Sequence, residues 1–173
     1  MRHFFVVLMC AVAALAAVSA AGARPPEITV IPVDGSVPPL EFTDLCAGVT
    51  LTQSFTGTIR IIRQFDRNGT AVREIQVFPK FTVTYTGNGK SLSTAGPAPV
   101  FITLNADGTI AESKVVGLLG VFHIPGGAPL VIDAGYLLFE GEFPLDPIVV
   151  LHGRHDFFGP EADLTAFCQY FTA

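Results

Sequence analysis

The chain has 173 residues, half of them hydrophobic and 14% charged, with 15 acidic against 10 basic residues and a net charge of −5. An apolar composition of this kind excludes an intrinsically disordered chain. The acidic balance, with no basic run, argues against nucleic-acid binding, which needs clustered Lys and Arg to neutralise phosphate.

The first residues read as a secretory signal: Arg2 in a short n-region, an apolar run over 4–18, and the A-x-A-like sequence Ala21-Gly22-Ala23. This pattern predicts a signal peptide over 1–23 with cleavage before Arg24, and cleavage before Ala21 as the second choice. The apolar run is shorter than the roughly 20 residues of a spanning helix, so no membrane span is expected after cleavage. Cys10 follows Leu8 and Met9, where lipid attachment needs a small residue, which disfavours a lipoprotein. The expected location is extracellular or in the cell envelope. Cleavage leaves Cys46 and Cys168, which in an oxidising compartment predicts one disulfide joining the start of the domain to its end.

Residues 24–41 read as an extended, Pro-rich arm, with 28–31 able to lie on a sheet edge, since proline fixes φ and lacks a donor. A single β domain is expected over 42–173. Residues 49–65 alternate with a period of two through a bend at Gly57. DRNG at 66–69 supplies a hairpin turn, because Asn-Gly accepts the positive φ of tight turns. A strand over 70–78 is interrupted at Pro79 before FTVTYT, and GNG at 87–89 turns again. VFITLN, the turn ADG, and apolar runs over 109–124, 130–141 and 147–157 complete a set of about eight strands, the spacing of an antiparallel barrel or barrel-like sandwich. The stretches 115–124 and 129–139 are apolar on both faces, as strands covered by the arm or helix, or lining an apolar interior, would be. Phe101, Phe122, Phe139 and Phe143 are candidates for that interior. After Gly159 and Pro160, residues Leu164, Phe167, Cys168 and Phe171 fall at helical spacing, predicting a short C-terminal helix with an apolar face.

The densest group of polar residues is LHGRHDFFG, 151–159. In a regular strand His152, Arg154 and Asp156 share one face while Leu151, Gly153 and His155 share the other. The histidines then point apart, against a metal site, whose ligands must converge on one ion. His152, Arg154 and Asp156 instead form a polar ladder, in which Asp156 can pair with Arg154 and His152 can bind a ligand or act as acid or base. The alternative is a ladder of ordinary surface residues. Asp133, in the apolar strand LVIDAGYLLF, calls for solvent, a cationic partner such as Arg154, or a pocket that raises its pKa. Tyr136 adds a phenolic donor nearby. Arg60, Arg63 and Arg73 oppose Asp66 and Glu74 as cross-strand pairs. His123 reads as a turn residue, and NGT at 68–70 matches a glycosylation acceptor inside a turn. No nucleophile elbow, phosphate loop, dinucleotide fingerprint or metal motif is present, so no cofactor or metal is expected.

At FTDLC (42–46), FDRNG (65–69), STAGP (93–97), VIDAG (131–135) and GRHDFFG (153–159) the chain resembles small secreted proteins of actinobacteria. That resemblance implies export and a compact β domain, and implies no reaction. Lipocalins and the allene oxide cyclase and dirigent barrels are similar in size and strand count, an analogy of fold alone. The expected function is binding of a small apolar or amphipathic ligand. The alternatives are a cofactor-independent isomerase or cyclase working through His152 or Asp133, and a cell-envelope interaction protein tethered by the arm.

Overall fold

A computed structural model describes residues 24–34, 38–124, 127, 129–160 and 162–173; the predicted signal peptide and its cleavage sites lie outside them. Eleven strands are described: β1 (Glu27–Pro32), β2 (Leu40–Cys46), β3 (Val49–Thr56), β4 (Thr58–Phe65), β5 (Ala71–Val77), β6 (Thr82–Gly87), β7 (Lys90–Ala95), β8 (Val100–Leu104), β9 (Ile110–His123), β10 (Pro129–Phe139) and β11 (Ile148–His155). One helix follows, α1 (Thr165–Thr172). The strands form two antiparallel sheets, a seven-stranded one in the order β1-β4-β5-β8-β9-β10-β11 and a four-stranded one in the order β2-β3-β6-β7.

The strand number exceeds the expected set because long runs break where they change sheet. β3 and β4 are one alternating run divided by Gly57, β5 and β6 are divided at 78–81, and β7 and β8 at 96–99. β7 escapes sequence reading because Leu92 is its only large apolar side chain. The predicted arm contributes β1, which pairs with β4 along the sheet edge, and the start of β2.

The breaks are tied to one another across the chain. Val33 N donates to the Gly57 carbonyl (3.0 Å), and Gly57 N donates to Asp34 Oδ1 (2.6 Å). Gly96 N donates to the Phe81 carbonyl (2.7 Å), and Ala98 N to the Leu118 carbonyl (2.8 Å). Gly57 has φ +108°, and a Cβ there would run into the Lys80 carbonyl and come 2.7 Å from Phe81 Cα. Only glycine fits both the conformation and the approach.

Two apolar clusters fill the interior. One combines Val49, Leu51, Tyr85, Leu92, Phe122 and Val131 with Phe167 and Phe171 of α1; the other combines Val100, Ile102, Val115, Leu119, Leu137 and Phe139. Of the aromatic residues expected inside, Phe122 and Phe139 are buried and Phe143 packs on the second cluster. Phe101 does not join them, because its strand buries Val100 and Ile102 and alternation turns Phe101 to the opposite face. The outer face of β9 is uncovered, with Val116 and Leu118 exposed.

The helix starts at Thr165, not beside Pro160, and the Asp163 carboxylate accepts the Thr165 amide (2.9 Å). Its open C-terminal carbonyls are satisfied from the β6–β7 turn. Lys90 Nζ donates to the carbonyls of Tyr170 and Ala173 (both 2.8 Å), and Asn88 Nδ2 to that of Phe171 (3.0 Å). A cation at this end also complements the helix dipole. The expected disulfide joins Cys46 and Cys168, with Cα atoms 5.3 Å apart. Among the described residues no helix is long and apolar enough to cross a membrane.

Two stability measurements check this account. The double variant Cys46→Ala/Cys168→Ala should lose about 2–5 kcal/mol in a denaturant titration, because the bond closes a long loop in the unfolded chain. Gly57→Ala should lose about 2 kcal/mol or more, through strain and overpacking at the corner. A loss under about 0.5 kcal/mol in Gly57→Ala would mean that the corner does not need glycine.

Candidate functional site

A cavity of about 520 Å³ lies between the sheets. Phe42, Phe55 and Phe81 line it from the side of the four-stranded sheet, and Phe122, Phe143, Phe157 and Phe158 from β9 and the loops around β11. Its exposed lining residues are Leu145 (77%), Pro144 and Leu40 (46%), which places the mouth between the 140–147 loop and the start of β2. That loop is held at its base by hydrogen bonds from Ser113 Oγ to the Gly141 carbonyl (2.6 Å) and from Glu140 N to the Pro147 carbonyl (3.2 Å). The cavity has the size and apolar lining of small-molecule sites.

Few polar groups reach it: Gln53, Tyr85, Thr94 and Asp133. Cross-strand register places Gln53 opposite Tyr85, and their side chains meet at Nε2···Oη 2.6 Å. Burial pushes the Tyr85 phenol up to about 12 against the lowering effect of Gln53, so the phenol stays protonated at neutral pH. Thr94, opposite Val83, accepts the Val121 amide on its hydroxyl (2.9 Å).

Asp133 sits where β10 pairs with β11, directly opposite His155. Their side chains are 4% and 2% exposed, and Asp133 Oδ1 lies 2.7 Å from His155 Nδ1. Oδ2 accepts the amides of Phe157 (3.0 Å) and Phe158 (3.1 Å). His155 Nε2 donates to the carbonyl of His152 (2.9 Å). Since that bond requires the proton on Nε2, the Nδ1···Oδ1 contact is closed by one further proton held between the two groups. The pair therefore braces the turn after β11 and aims Phe157 and Phe158 into the cavity wall. Gly135 makes room for it: a Cβ there would run into the His152 carbonyl and come 2.9 Å from His155 Nε2.

Of the arrangements expected for 151–159, the structure has the surface ladder. His152 and Arg154 face solvent, and the inward position belongs to His155, which alternation puts on the face of Leu151. Arg154 and Asp156 do pair, through Nε–Oδ1 (3.0 Å) and Nη2–Oδ2 (2.7 Å). The Arg154 guanidinium holds the Asp156 carboxyl below the usual aspartate range, and Asp156 Oδ2 also accepts the Ile132 amide (2.9 Å). Tyr136 lies opposite His152 on the outer face, with ring centroids 6.5 Å apart. Asp133 thus takes His155 as its partner, not Arg154, because the two lie on opposite sides of the sheet. The cross-strand pair expected near the first hairpin forms between Arg63 and Glu74 (2.5 Å).

The chain matches no protein family, no curated protein and no solved structure. Among the described residues no three His, Cys, Asp or Glu side chains are grouped as a metal site.

Burial is the main influence on the Asp133 carboxyl and raises it above its ordinary range, against the donors from His155, Phe157 and Phe158. The folded chain therefore holds this proton where the unfolded chain releases it. Its contribution to stability is greatest below the usual aspartate pKa and declines as pH rises from there through the raised value. Stability curves of Asp133→Asn should be flatter across that window. Asp133→Ala, which strands an imidazole and two amides, should lose about 3–5 kcal/mol in denaturant titration, with Asn losing less because its oxygen still accepts the two amides.

Proposed function

We propose that this is an exported protein that binds a small apolar or amphipathic molecule in the cavity between its sheets, the long bent strands wrapping the ligand in a barrel-like enclosure. The observation that carries this reading is the cavity of about 520 Å³, walled largely by phenylalanine and open between Leu40 and Leu145. A fully packed domain of this size would fill such a space with side chains. Burial of an apolar ligand there gains about 25 cal/mol per Å² removed from water. Export is supported by the signal-like residues 1–23 and by the Cys46–Cys168 disulfide.

The alternative of an isomerase or cyclase acting through His152 or Asp133 is less well served by the geometry. His152 lies on the outer surface, and both oxygens of Asp133 are already engaged in hydrogen bonds. Asp133 is better placed to position Phe157 and Phe158 than to exchange protons with a substrate.

Gly120 lines the cavity, and a Cβ added there would lie 3.5 Å from Thr94 Oγ1 and 3.6 Å from Thr94 Cγ2, ordinary contact without a clash. Gly120→Leu should fill part of the space and weaken binding of an apolar fluorescent dye at least about tenfold, with the chain still folded. Undiminished dye binding in a folded Gly120→Leu protein would place the ligand elsewhere.

A further inference from the structure

The cavity wall carries few polar groups, and their hydrogen-bonding capacity is only partly used. Tyr85 Oη accepts from Gln53 Nε2 at 2.6 Å, which leaves the phenolic hydrogen unclaimed among the described residues. With the Gln53 amide turned over, the phenol donates to its oxygen and an amide hydrogen is left unclaimed instead, so the pair presents a donor in either arrangement. Thr94 repeats the situation in the next row of the same sheet. Its hydroxyl oxygen accepts the Val121 amide, and its hydrogen has no acceptor among the described residues. Tyr85 and Thr94 are both buried. Buried hydroxyls whose accepting role is used and whose hydrogens are spare call for an acceptor atom.

The charges around the cavity narrow the choice further. No lysine, arginine or histidine lines it among the described residues, so a carboxylate or phosphate end would enter an apolar site without a counter-charge. Its ionisable wall groups are Asp133, whose oxygens are taken by His155 and two amides, and the Tyr85 phenol, which burial keeps neutral. An ammonium end finds no carboxylate oxygen without a partner.

Resting on the reading of this cavity as a ligand site, we propose that its occupant is uncharged, apolar along its length, and ends in a hydrogen-bond acceptor. The chemical class is a ketone, aldehyde, ester or quinone carbonyl, received by the Tyr85–Gln53 pair and the Thr94 hydroxyl.

The test is displacement of an apolar fluorescent dye from the full chain by three probes of equal chain length: a methyl ketone, the alkane, and the carboxylic acid in its ionised form. The ketone should compete about tenfold better than the alkane, the value of one well-made hydrogen bond, and the carboxylate should compete worst. The double variant Tyr85→Phe/Gln53→Leu, which removes the phenol and leaves no amide to donate in its place, should remove most of the preference for ketone over alkane, and Tyr85→Phe alone, which frees the Gln53 amide, should reduce it less. An unchanged preference in the folded double variant would overturn the role of the pair. Equal competition by ketone and alkane in the unaltered protein would overturn the proposed end group while leaving the cavity as an apolar site. Strongest competition by the carboxylate would overturn it as well. Failure of all three probes to displace a dye that Gly120→Leu also fails to affect would overturn the ligand-site reading itself.

Discussion

The constraint on which the architecture depends is the set of aligned corners at Asp34, Gly57, Phe81 and Gly96. At each the chain passes between the two sheets: Val33 and Asp34 are hydrogen-bonded to Gly57, Gly96 is hydrogen-bonded to Phe81, and the Gly57 backbone lies against Lys80 and Phe81. A corner in one strand alone would leave its neighbours' ladder groups unpaired, at a cost comparable to lost hydrogen bonds. With the corners in register the sheets separate together, and the space between them is enclosed by residues of both. Gly57 is the tightest point, since the backbone of Lys80 and Phe81 occupies the volume a side chain would need.

From that geometry the two ends of the interior take different roles. Near α1 the space is closed: Phe167 and Phe171 pack into the first cluster, the disulfide ties the helix to β2, and Lys90 and Asn88 satisfy its last carbonyls. Toward the 140–147 loop it stays open, and the wall there depends on the Asp133–His155 pair. A buried carboxylate is costly unless fully hydrogen-bonded. Here it meets an imidazole and two amides, all contributed by the end of β11 and the turn after it. The same contacts fix Phe157 and Phe158, so a polar brace just behind the surface shapes an apolar cavity. The polar groups that remain addressable, Tyr85 with Gln53 and Thr94, all come from the opposite sheet.

Much of the strand pattern was legible in the sequence because the signals are local. Asp66 Oδ1 accepts the amides of Asn68 and Thr70, the side-chain-to-backbone bonding that makes DRNG a turn wherever it stands. Gly57 and Pro79 announce interruptions through their own backbone constraints, and the helical spacing of Leu164, Phe167, Cys168 and Phe171 identifies the covered face of α1. β7 was not legible, since an inward Leu92 and Thr94 among small polar residues give too weak an alternation. Nor was the importance of His155. Alternation puts it with Leu151 on the apolar side, but nothing local in 151–159 marks that side as the one that is buried. The clue was present in Asp133, a carboxylate on an apolar strand that requires a buried donor.

The sequence by itself determined the β class, the cysteine pair, the positions of the main turns and corners, and which residues share a strand face. Each follows from a backbone preference or from a period of two. Only the tertiary structure decided which of those faces looks inward, that Asp133 meets His155 across β10 and β11, and that the interior keeps a cavity. β9 and β10 carry apolar side chains on both faces, so alternation cannot choose between them. The choice is made by the opposing four-stranded sheet, whose distant residues bury one face and leave Val116, Leu118 and His152 outside.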